Sequence, residues 1–520
     1  MKRHLIMMTV AAALLLLGST AAMAGDFRGS AKLGWVYLDQ EGNQGINQPT
    51  YNLYEGGALS LEKFRYRWDN GFRLFGDFKN ITLNNRNLVL GVEQSGHGGV
   101  NLRHNKYRRV YSFDGDRFTR REKTYGTAWY RPIDNIRLFG GYGLTRKAGD
   151  MLDLFEPPGS LGLTNVDYSQ QYYHAGVEYS YERSTIEFEY RGSSFSDDLS
   201  ELNDRATRRW RVTAVSPIPR YENIFINGGF QSYEGRMSER DDTLTANTAW
   251  VGARAYYGDG WSLRYSFIFD RARRTGDLSA TDNLVNAIYG GKTWRGKGGV
   301  QVGYRNKIND DVADELSTNG YFFSAWYRVM PDLTIRGGYG SEVEEVQEGR
   351  TLTGDEDRTR HWGQIKYRNE YGTLRLKAEN RQTENDDIGV TADFMRFASD
   401  VSFDVARYGS LIASWSYTNG EYENIDGVFE MEQHVFSGDI YSIEYMKTQL
   451  GFGGTYVRSR KDLDVESFSV RISGLYEFIP NNKLEVVYSA HNFDNFADDS
   501  PIYQEYYTAN VVEVNLIHDF

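Results

Sequence analysis

Charged side chains at every second position are the residues of this 520-residue chain whose type and spacing suggest chemistry. Glu187, Glu189 and Arg191, for example, alternate with apolar residues. Side chains two apart on a strand share a face, so such residues can pair with one another, bind ions or line an aqueous passage. Both signs are present, which does not predict the single-sign lining of a strongly ion-selective pore. The candidates for a passage lining are Arg65, Arg67, Arg73, Arg137, Glu187, Glu189, Arg191, Arg209, Arg211, Arg264, Arg336, Arg375 and Lys377.

Motifs for catalysis and metal binding are missing from the sequence. The histidines after His4 occur singly, without HExxH spacing, and neither a GxSxG turn nor a phosphate-binding glycine–lysine loop is present. The absence of cysteine excludes a thiolate zinc site, a cysteine-ligated iron–sulfur cluster and covalently attached haem on this chain. We therefore predict no catalytic residue, no metal site and no cofactor on this chain. The acidic tract from Glu342 to Glu348 is predicted to be solvated charge in a loop.

The elements that position the charged residues are predicted to be β-strands. From Trp261 to Asp270 one parity is aromatic or aliphatic and the other is mostly polar, and similar alternation recurs to the end of the chain. With 40% hydrophobic and 25% charged residues, the composition excludes a disordered chain. A net charge of -12 lacks the basic footprint that nucleic-acid binding requires, so no nucleic-acid partner is predicted.

Residues 1–24 have the layout of a secretory signal peptide. Lys2 and Arg3 give a basic start, an apolar run follows from Leu5 to Leu17, and Ala22-Met23-Ala24 forms a cleavage site. The run of about 13 apolar residues is shorter than the roughly 20 that cross a bilayer as a helix. We expect cleavage near Ala24 and export. The mature chain, residues 25–520, has no apolar run long enough for a membrane helix, which leaves a soluble exported protein or a transmembrane barrel.

The connections between the predicted strands alternate in length. Short connections alternate with longer polar stretches. The short connections are tight turns rich in Gly, Pro, Asn or Asp, as at 257–260 and 479–482, and the longer stretches include 306–319 and 341–360. This alternation is typical of outer-membrane barrels, with short periplasmic turns and long extracellular loops, whereas a soluble sandwich has no reason to maintain it. Counting the hairpins predicts an all-β fold: residues 25–520 form a single large transmembrane antiparallel β-barrel of about 26 strands in the lipid of the cell outer membrane.

The last predicted strand resembles the C-terminal assembly signal of outer-membrane barrels, a terminal aromatic residue preceded by apolar residues at every second place. The residues that form this pattern are Val512, Val514, Leu516 and Phe520. Aromatic residues also concentrate near predicted strand ends, which predicts girdles at the two membrane interfaces. The candidates for these girdles are Trp35, Trp68, Trp129, Trp250, Trp261, Trp294, Trp326, Tyr257 and Tyr476.

A barrel of this size encloses a wide lumen. At ~4.8 Å between strands and ~40° tilt, 26 strands give a backbone diameter of ~50 Å and a bore of ~35–40 Å. An open hole of that width would pass folded proteins, so we expect it to be filled. The first strand is predicted near Arg28, which leaves no room before it for a plug domain, and the outer loops average ~12 residues. A separate protein is therefore the expected occupant.

This layout resembles the MtrB/PioB family, the decahaem-associated outer-membrane barrels of extracellular electron transfer. The resemblance covers the mature chain and is carried by the strand count and by segments such as 177–195, 216–217 and 228–237. It implies that the barrel sheathes a periplasmic multihaem cytochrome c, so that haem is expected on this partner, with an outer-surface cytochrome as a further partner. This chain is shorter than typical members and lacks the CxxC found near the start of some.

Two hypotheses for the function stay open. In the first, the protein is a structural sheath for an electron-carrying partner, with a broadly polar lining. In the second, it is an outer-membrane porin or channel for a solute, with a constriction made by an inward loop and a ladder of charges such as Arg65, Arg67, Arg209 and Arg211. Neither hypothesis makes the chain an enzyme.

Overall fold

The described part of the chain forms one closed sheet. The structure is a computed structural model that describes residues 27–46, 50–152, 163–200, 204–237, 242–274, 280–310, 314–349, 355–405, 409–425, 427–442, 445–496 and 506–520. Its 26 strands pair antiparallel with their neighbours in the chain, and the last strand pairs with the first. The predicted all-β barrel of 26 strands is thereby confirmed. The predicted signal peptide, residues 1–24, lies outside the described residues.

Most strands are longer than a bilayer requires. Their lengths run from 8 residues in β3 and β4 to 19 in β8, whereas about 9–11 residues cross the hydrocarbon core. Within the described residues, no helix is long and apolar enough to cross a membrane. The strands are β1 (Arg28–Gly42), β2 (Gly56–Arg67), β3 (Phe72–Lys79), β4 (Asn87–Gln94), β5 (Gly98–Val110), β6 (Phe118–Ile133), β7 (Ile136–Leu152), β8 (Leu163–Tyr181), β9 (Ser184–Asp197), β10 (Arg205–Ile218), β11 (Tyr221–Met237), β12 (Asp242–Tyr257), β13 (Trp261–Arg274), β14 (Ala280–Trp294), β15 (Gly298–Asp310), β16 (Asp314–Met330), β17 (Leu333–Gly349), β18 (Glu356–Arg368), β19 (Gly372–Asn385), β20 (Val390–Val405), β21 (Gly409–Asn424), β22 (Gly427–Tyr441), β23 (Thr448–Lys461), β24 (Val465–Ile479), β25 (Asn482–Asn495) and β26 (Tyr506–Asp519).

Tight turns join the strands at the end of the barrel where β1 begins and β26 ends. Between β12 and β13, Asp259 and Gly260 adopt φ values of 55° and 85°, and between β24 and β25 Asn481 adopts 67°. Glycine takes this left-handed region without steric cost, and Asn and Asp tolerate it better than most residues. The tight turns predicted at 257–260 and 479–482 are therefore confirmed.

The opposite end of the barrel differs from the sequence prediction. β15 runs to Asp310 and β16 begins at Asp314, while β21 runs to Asn424 and β22 begins at Gly427. Much of the sequence assigned to long extracellular loops thus continues as paired strand. The acidic tract 342–348, predicted in a loop, belongs to β17. Polar residues replace the apolar ones of the alternation beyond the lipid, so hydropathy does not reveal where a strand ends.

A β-bulge in β2 sets the direction of its basic side chains. Ser30 lies opposite Glu62 and Arg28 opposite Arg65, so β2 has one extra residue in this interval. Lys63, within the bulge, adopts a φ of 51°. The extra residue shifts the parity, and Arg65 consequently points to the same face as Glu62.

The wall is lowest at β3 and β4, and the connection between β1 and β2 packs above these short strands. Arg108 of β5 donates from Nε to the carbonyl oxygen of Tyr51 (2.8 Å) and from Nη2 to that of Leu53 (3.1 Å). On the other side, the buried Tyr507 of β26 donates its hydroxyl to Thr50 Oγ1 (2.6 Å). The connection therefore links β26 to β5 across the tops of the short strands.

Candidate functional site

The strand register brings the charged candidates to one face of the sheet. Residues opposite each other on adjacent strands point the same way. His174 lies opposite Arg191 and Arg191 opposite Arg209, and following such pairs around the barrel relates all thirteen candidates. We call this side the polar face. Its members from the sequence prediction are Arg65, Arg67, Arg73, Arg137, Glu187, Glu189, Arg191, Arg209, Arg211, Arg264, Arg336, Arg375 and Lys377.

The opposite side, the apolar face, carries large exposed hydrophobic side chains. Leu263 and Tyr265 of β13 and Val302 of β15 are examples, each between 39% and 55% exposed. Exposed apolar side chains in a continuous band are stable against lipid but not against water. In an outer-membrane barrel this band faces outward, so the polar face surrounds the lumen.

One carboxylate of the polar face, Glu189, is surrounded by two guanidinium groups and an imidazole ring. Its Oε1 lies 2.7 Å from Arg191 Nε and 3.2 Å from His174 Nδ1, and Oε2 lies 4.0 Å from Arg209 Nη2. Only 4% of the Glu189 side chain is exposed, so the carboxylate depends on these partners for compensation of its charge. The prediction named three of these four residues, and His174 completes the cluster from the neighbouring strand.

A second buried carboxylate, Glu379, organises a similar cluster on β18 and β19. Its Oε1 accepts from Arg381 Nε at 2.5 Å and lies 2.8 Å from Arg360 Nε, while Lys377 Nζ binds Oε2. Lys377 was among the candidates, whereas Arg360 and Arg381 were not. Arg360 and Arg381 lie in stretches predicted as loops. The signal that identifies them is charge at every second position, in Glu356, Arg358 and Arg360 of β18 and in Lys377, Glu379 and Arg381 of β19.

The other candidates either form an ion pair with a nearby carboxylate or have no ion pair. The pairs join Arg73 with Glu93, Arg137 with Glu178 (3.4 Å), Arg211 with Glu187 (3.7 Å) and Arg375 with Asp400 (2.6 Å). Arg65, Arg67, Arg264 and Arg336 have no ion pair with a carboxylate of the described residues. The charges of the polar face thus form local ion pairs separated by guanidinium groups that have no ion pair.

Three tryptophans predicted for the girdles lie on the polar face instead. Trp129, Trp250 and Trp326 stand opposite glycines of the neighbouring strand, so their direction differs from the prediction. A methyl group added at Gly229, for example, would come within 2.3 Å of the Trp250 ring, because the indole lies flat over the glycine. Bulky side chains that lie along the wall leave the bore wide. Trp362 lies over a glycine of β17 in the same manner.

The apolar face keeps other predicted girdle residues and the C-terminal segment. Trp35, Trp261 and Trp294 are about half exposed on this face. The assembly-signal residues Val512, Val514 and Leu516 lie on the same face, in register with β1. Phe520 stacks on Phe27 with ring centroids 4.7 Å apart, and its N–H donates to the carbonyl oxygen of Gly29 at 3.0 Å. The remaining girdle candidates, Trp68, Tyr257 and Tyr476, are also exposed.

No group of three or more His, Cys, Asp or Glu side chains suited to a metal ion occurs among the residues that the structure describes. The polar face offers ion pairs, hydroxyls and bare guanidinium groups rather than a metal-ligand set. Its chemistry is that of a surface that contacts water or another protein.

The sequence matches no protein-family model and no curated protein. Among solved structures, the chain is similar to the ferric enterobactin receptor PfeA of Pseudomonas aeruginosa, with 9% identity and a TM-score of 0.54 over 82% of this chain and 80% of that chain. It is similar to the FrpB iron transporter of Neisseria meningitidis, with 9% identity and a TM-score of 0.52 over 82% and 81%. It is also similar to the ferric-catecholate import receptor Fiu of E. coli K12, with 11% identity and a TM-score of 0.51 over 95% and 81%.

At identities of 9–11% these similarities establish the fold, which is that of outer-membrane β-barrels. The three proteins are described as two receptors and a transporter. The resemblance to the MtrB/PioB family stays a prediction.

Proposed function

We propose that this chain is an outer-membrane β-barrel that sheathes a multihaem c-type cytochrome and so forms a transmembrane electron conduit. The observation that carries the proposal is the closed circuit of 26 strands. By strand spacing and tilt such a circuit has a bore of about 35–40 Å, which is too wide for its own side chains to fill.

A bore of this width needs an occupant in an outer membrane. Barrels of 16–18 strands already leave an aqueous channel, and 22-stranded transporters are plugged. An occupant that carries electrons makes use of the width, because a protein within the lumen insulates its haem groups from lipid and holds them across the membrane. Haem then belongs to the partner, since the barrel chain has no cysteine for its covalent attachment.

The lining of the barrel suits a protein occupant. The indoles of Trp129, Trp250, Trp326 and Trp362 lie flat against the wall rather than across the lumen. Many polar-face charges are already paired with one another, as in the Glu189 and Glu379 clusters. A polar wall on which these large side chains lie flat is complementary to the polar surface of a folded domain.

A porin, channel or receptor for a solute is the second candidate function. The observations in its favour are the bare cations of the polar face and the connection between β1 and β2, which contacts Tyr507 on that face. The solved structures of similar fold include an iron transporter and receptors for ferric ligands. A solute passage requires a constriction, to which the described part of this connection would contribute through its contact with Tyr507.

Purification from outer membranes of the source organism in mild detergent tests the proposal. We expect a red complex with several haem groups per barrel, measured by visible absorption and haem staining, that comigrates with the barrel on a native gel. The barrel gene should also have neighbours that encode repeated CxxCH motifs. A colourless barrel that conducts steadily by itself in a planar bilayer would contradict the proposal and support the solute channel.

A further inference from the structure

The charges of the polar face are unevenly distributed around the barrel. We define the β15–β20 sector as the polar face of those six strands and the β5–β10 sector likewise. Among the described residues of the β15–β20 sector the cations are Arg305, Lys307, Arg328, Arg336, Arg358, Arg360, Lys366, Arg368, Arg375, Lys377, Arg381 and Arg396, against the carboxylates Glu342, Glu344, Glu356, Glu379, Asp400 and Asp404. In the β5–β10 sector the cations are Arg103, Arg109, Arg121, Lys123, Arg137, Lys147, Arg191, Arg205, Arg209 and Arg211, against Glu178, Glu187, Glu189 and Asp197.

Each sector therefore has more cations than carboxylates, although the chain as a whole carries a net charge of -12. By contrast, the polar face of β21–β24 is dominated by hydroxyl groups. They belong to Ser410, Ser414, Ser416, Thr418, Ser437, Thr455, Ser459, Ser467, Ser469 and Ser473. The two sectors are thus locally basic although the protein as a whole is acidic.

Several of these cations lack an internal partner. Arg103, Arg121, Arg336 and Arg396 have no ion pair with any carboxylate of the described residues. Lys307 and Lys366 likewise have no ion pair with a carboxylate of the described residues.

Like charges also stand directly opposite one another. Arg191 faces Arg209, Arg360 faces Arg381 and Lys366 faces Arg375 across adjacent strands. Such pairs destabilise a sheet, and carboxylates within the sectors neutralise only part of the excess. These like-charge pairs lower the stability of the free barrel. Their presence is explained if an anionic group of a bound partner supplies the missing counter-charge.

The two sectors lie on different sides of the lumen. Their centres are about ten strands apart in a circuit of 26, so they face each other across the bore rather than side by side. An anionic protein that fills the lumen contacts both sectors at once. The polar face of β21–β24, which we call the hydroxyl-rich wall, then contacts a third side of this protein.

We propose that the β5–β10 and β15–β20 sectors are the docking surface for the protein that occupies the lumen, and that this protein presents a carboxylate-rich face to each sector. The inference rests on the proposed sheath function and adds the charge and the orientation of the partner. Charge complementarity selects an acidic protein and fixes its rotation about the barrel axis, because the hydroxyl-rich wall offers it no cation-rich surface.

A fourfold variant, Arg103→Gln, Arg121→Gln, Arg336→Gln and Arg396→Gln, tests the docking surface in the complex purified from the source organism. Glutamine keeps length and polarity, and none of the four residues has an ion pair to lose. The matched control is Arg254→Gln with Arg264→Gln, which stand opposite each other on the polar face of β12 and β13, outside both sectors. Folding of each barrel is checked by its heat-modifiable mobility on gels.

The readout is the haem retained per folded barrel as NaCl is raised. We expect the wild-type complex and the control to release haem at the same salt concentration and the fourfold variant at a concentration about threefold lower, because screening competes with the remaining ion pairs. A red complex in which the folded fourfold variant retains haem like the wild type would overturn the docking inference and leave the sheath function standing.

Other outcomes separate the two proposals. A wild-type barrel that is colourless overturns the sheath function and the docking inference together. A colourless barrel whose conductance prefers anions, with a preference that the fourfold variant abolishes, assigns the same cations to a small anionic solute instead.

Discussion

Lys32 Nζ lies 2.7 Å from Glu485 Oε2, an ion pair between β1 and β25 that passes over β26. Asn515 of β26 also donates to Glu485 Oε2, at 3.1 Å. These contacts join residues from the two ends of the chain on the polar face, at the seam where the first and last strands close the barrel. The seam is therefore held by side chains as well as by the backbone ladder.

Replacing Lys32 with Met should weaken this seam. Both side chains are more than three-quarters buried, so the loss of the ion pair should lower the free energy of unfolding by about 1 kcal/mol. The midpoint of denaturant unfolding in micelles, followed by tryptophan fluorescence, measures the effect. Lys79→Met is the control, because Lys79 makes a longer pair of 3.3 Å with Asp77 and is 45% exposed. Equal midpoints for the two variants would contradict this role of Lys32.

Replacing Phe520 with Ala should reduce the amount of assembled barrel. The variant loses the stack on Phe27 at 4.7 Å and the terminal residue of the predicted assembly signal, while the backbone bonds to Gly29 are retained. The fraction of heat-modifiable protein in the outer membrane measures assembly, and we expect it to fall several-fold. Tyr371→Ala, which removes an exposed aromatic from another tight turn, should leave it unchanged. Normal assembly of the Phe520 variant would show that the C-terminal pattern is not a signal in this protein.

Replacing Glu379 with Gln should be strongly destabilising. Without the carboxylate, Lys377, Arg360 and Arg381 are left close together with no counter-charge, at a cost of about 2 kcal/mol because water screens these half-exposed cations in part. Thermal unfolding in detergent measures the change, and Asp400→Asn, which breaks the more exposed pair with Arg375, should cost far less. Adding Lys377→Met to the Glu379 variant should recover part of the loss. A Glu379 variant as stable as the Asp400 variant is the contrary result.

Replacing Gly299 with Ala should displace the indole that lies over it. The new methyl group would come within 2.6 Å of Trp326 Nε1, so the ring must move away from the wall. We expect a stability loss of about 1–2 kcal/mol, as is typical of overpacking, and a red-shifted tryptophan emission as the indole enters water. Gly363→Ala is the control, because no atom lies within 4 Å of the added methyl group. An unchanged spectrum and stability for the Gly299 variant would mean that the wall does not need a glycine there.

The local pattern of the sequence determines which face each side chain takes. Because successive strand residues point to opposite faces, the alternation around Glu189 and Arg209 predicts their shared face without any knowledge of their partners. The same regularity, with the turn residues near Gly260 and Asn481, predicts the number of strands. The interpretation of Trp129, Trp250 and Trp326 as girdle residues is wrong, because their parity places them on the polar face, where each lies over a glycine of the next strand.

Only the tertiary structure decides which residues meet. Glu189 and His174 are 15 residues apart and meet through the register of one hairpin, whereas Lys32 and Glu485 are 453 residues apart and meet because the barrel closes. The position where a strand ends is also decided there. Beyond the bilayer no lipid selects for an apolar face, so the tract 342–348 looks like a loop in sequence and yet continues β17 through pairing with its neighbours. Period-two alternation is local and is written in the sequence, while register, closure and the pairing of charges are long-range and depend on the folded barrel.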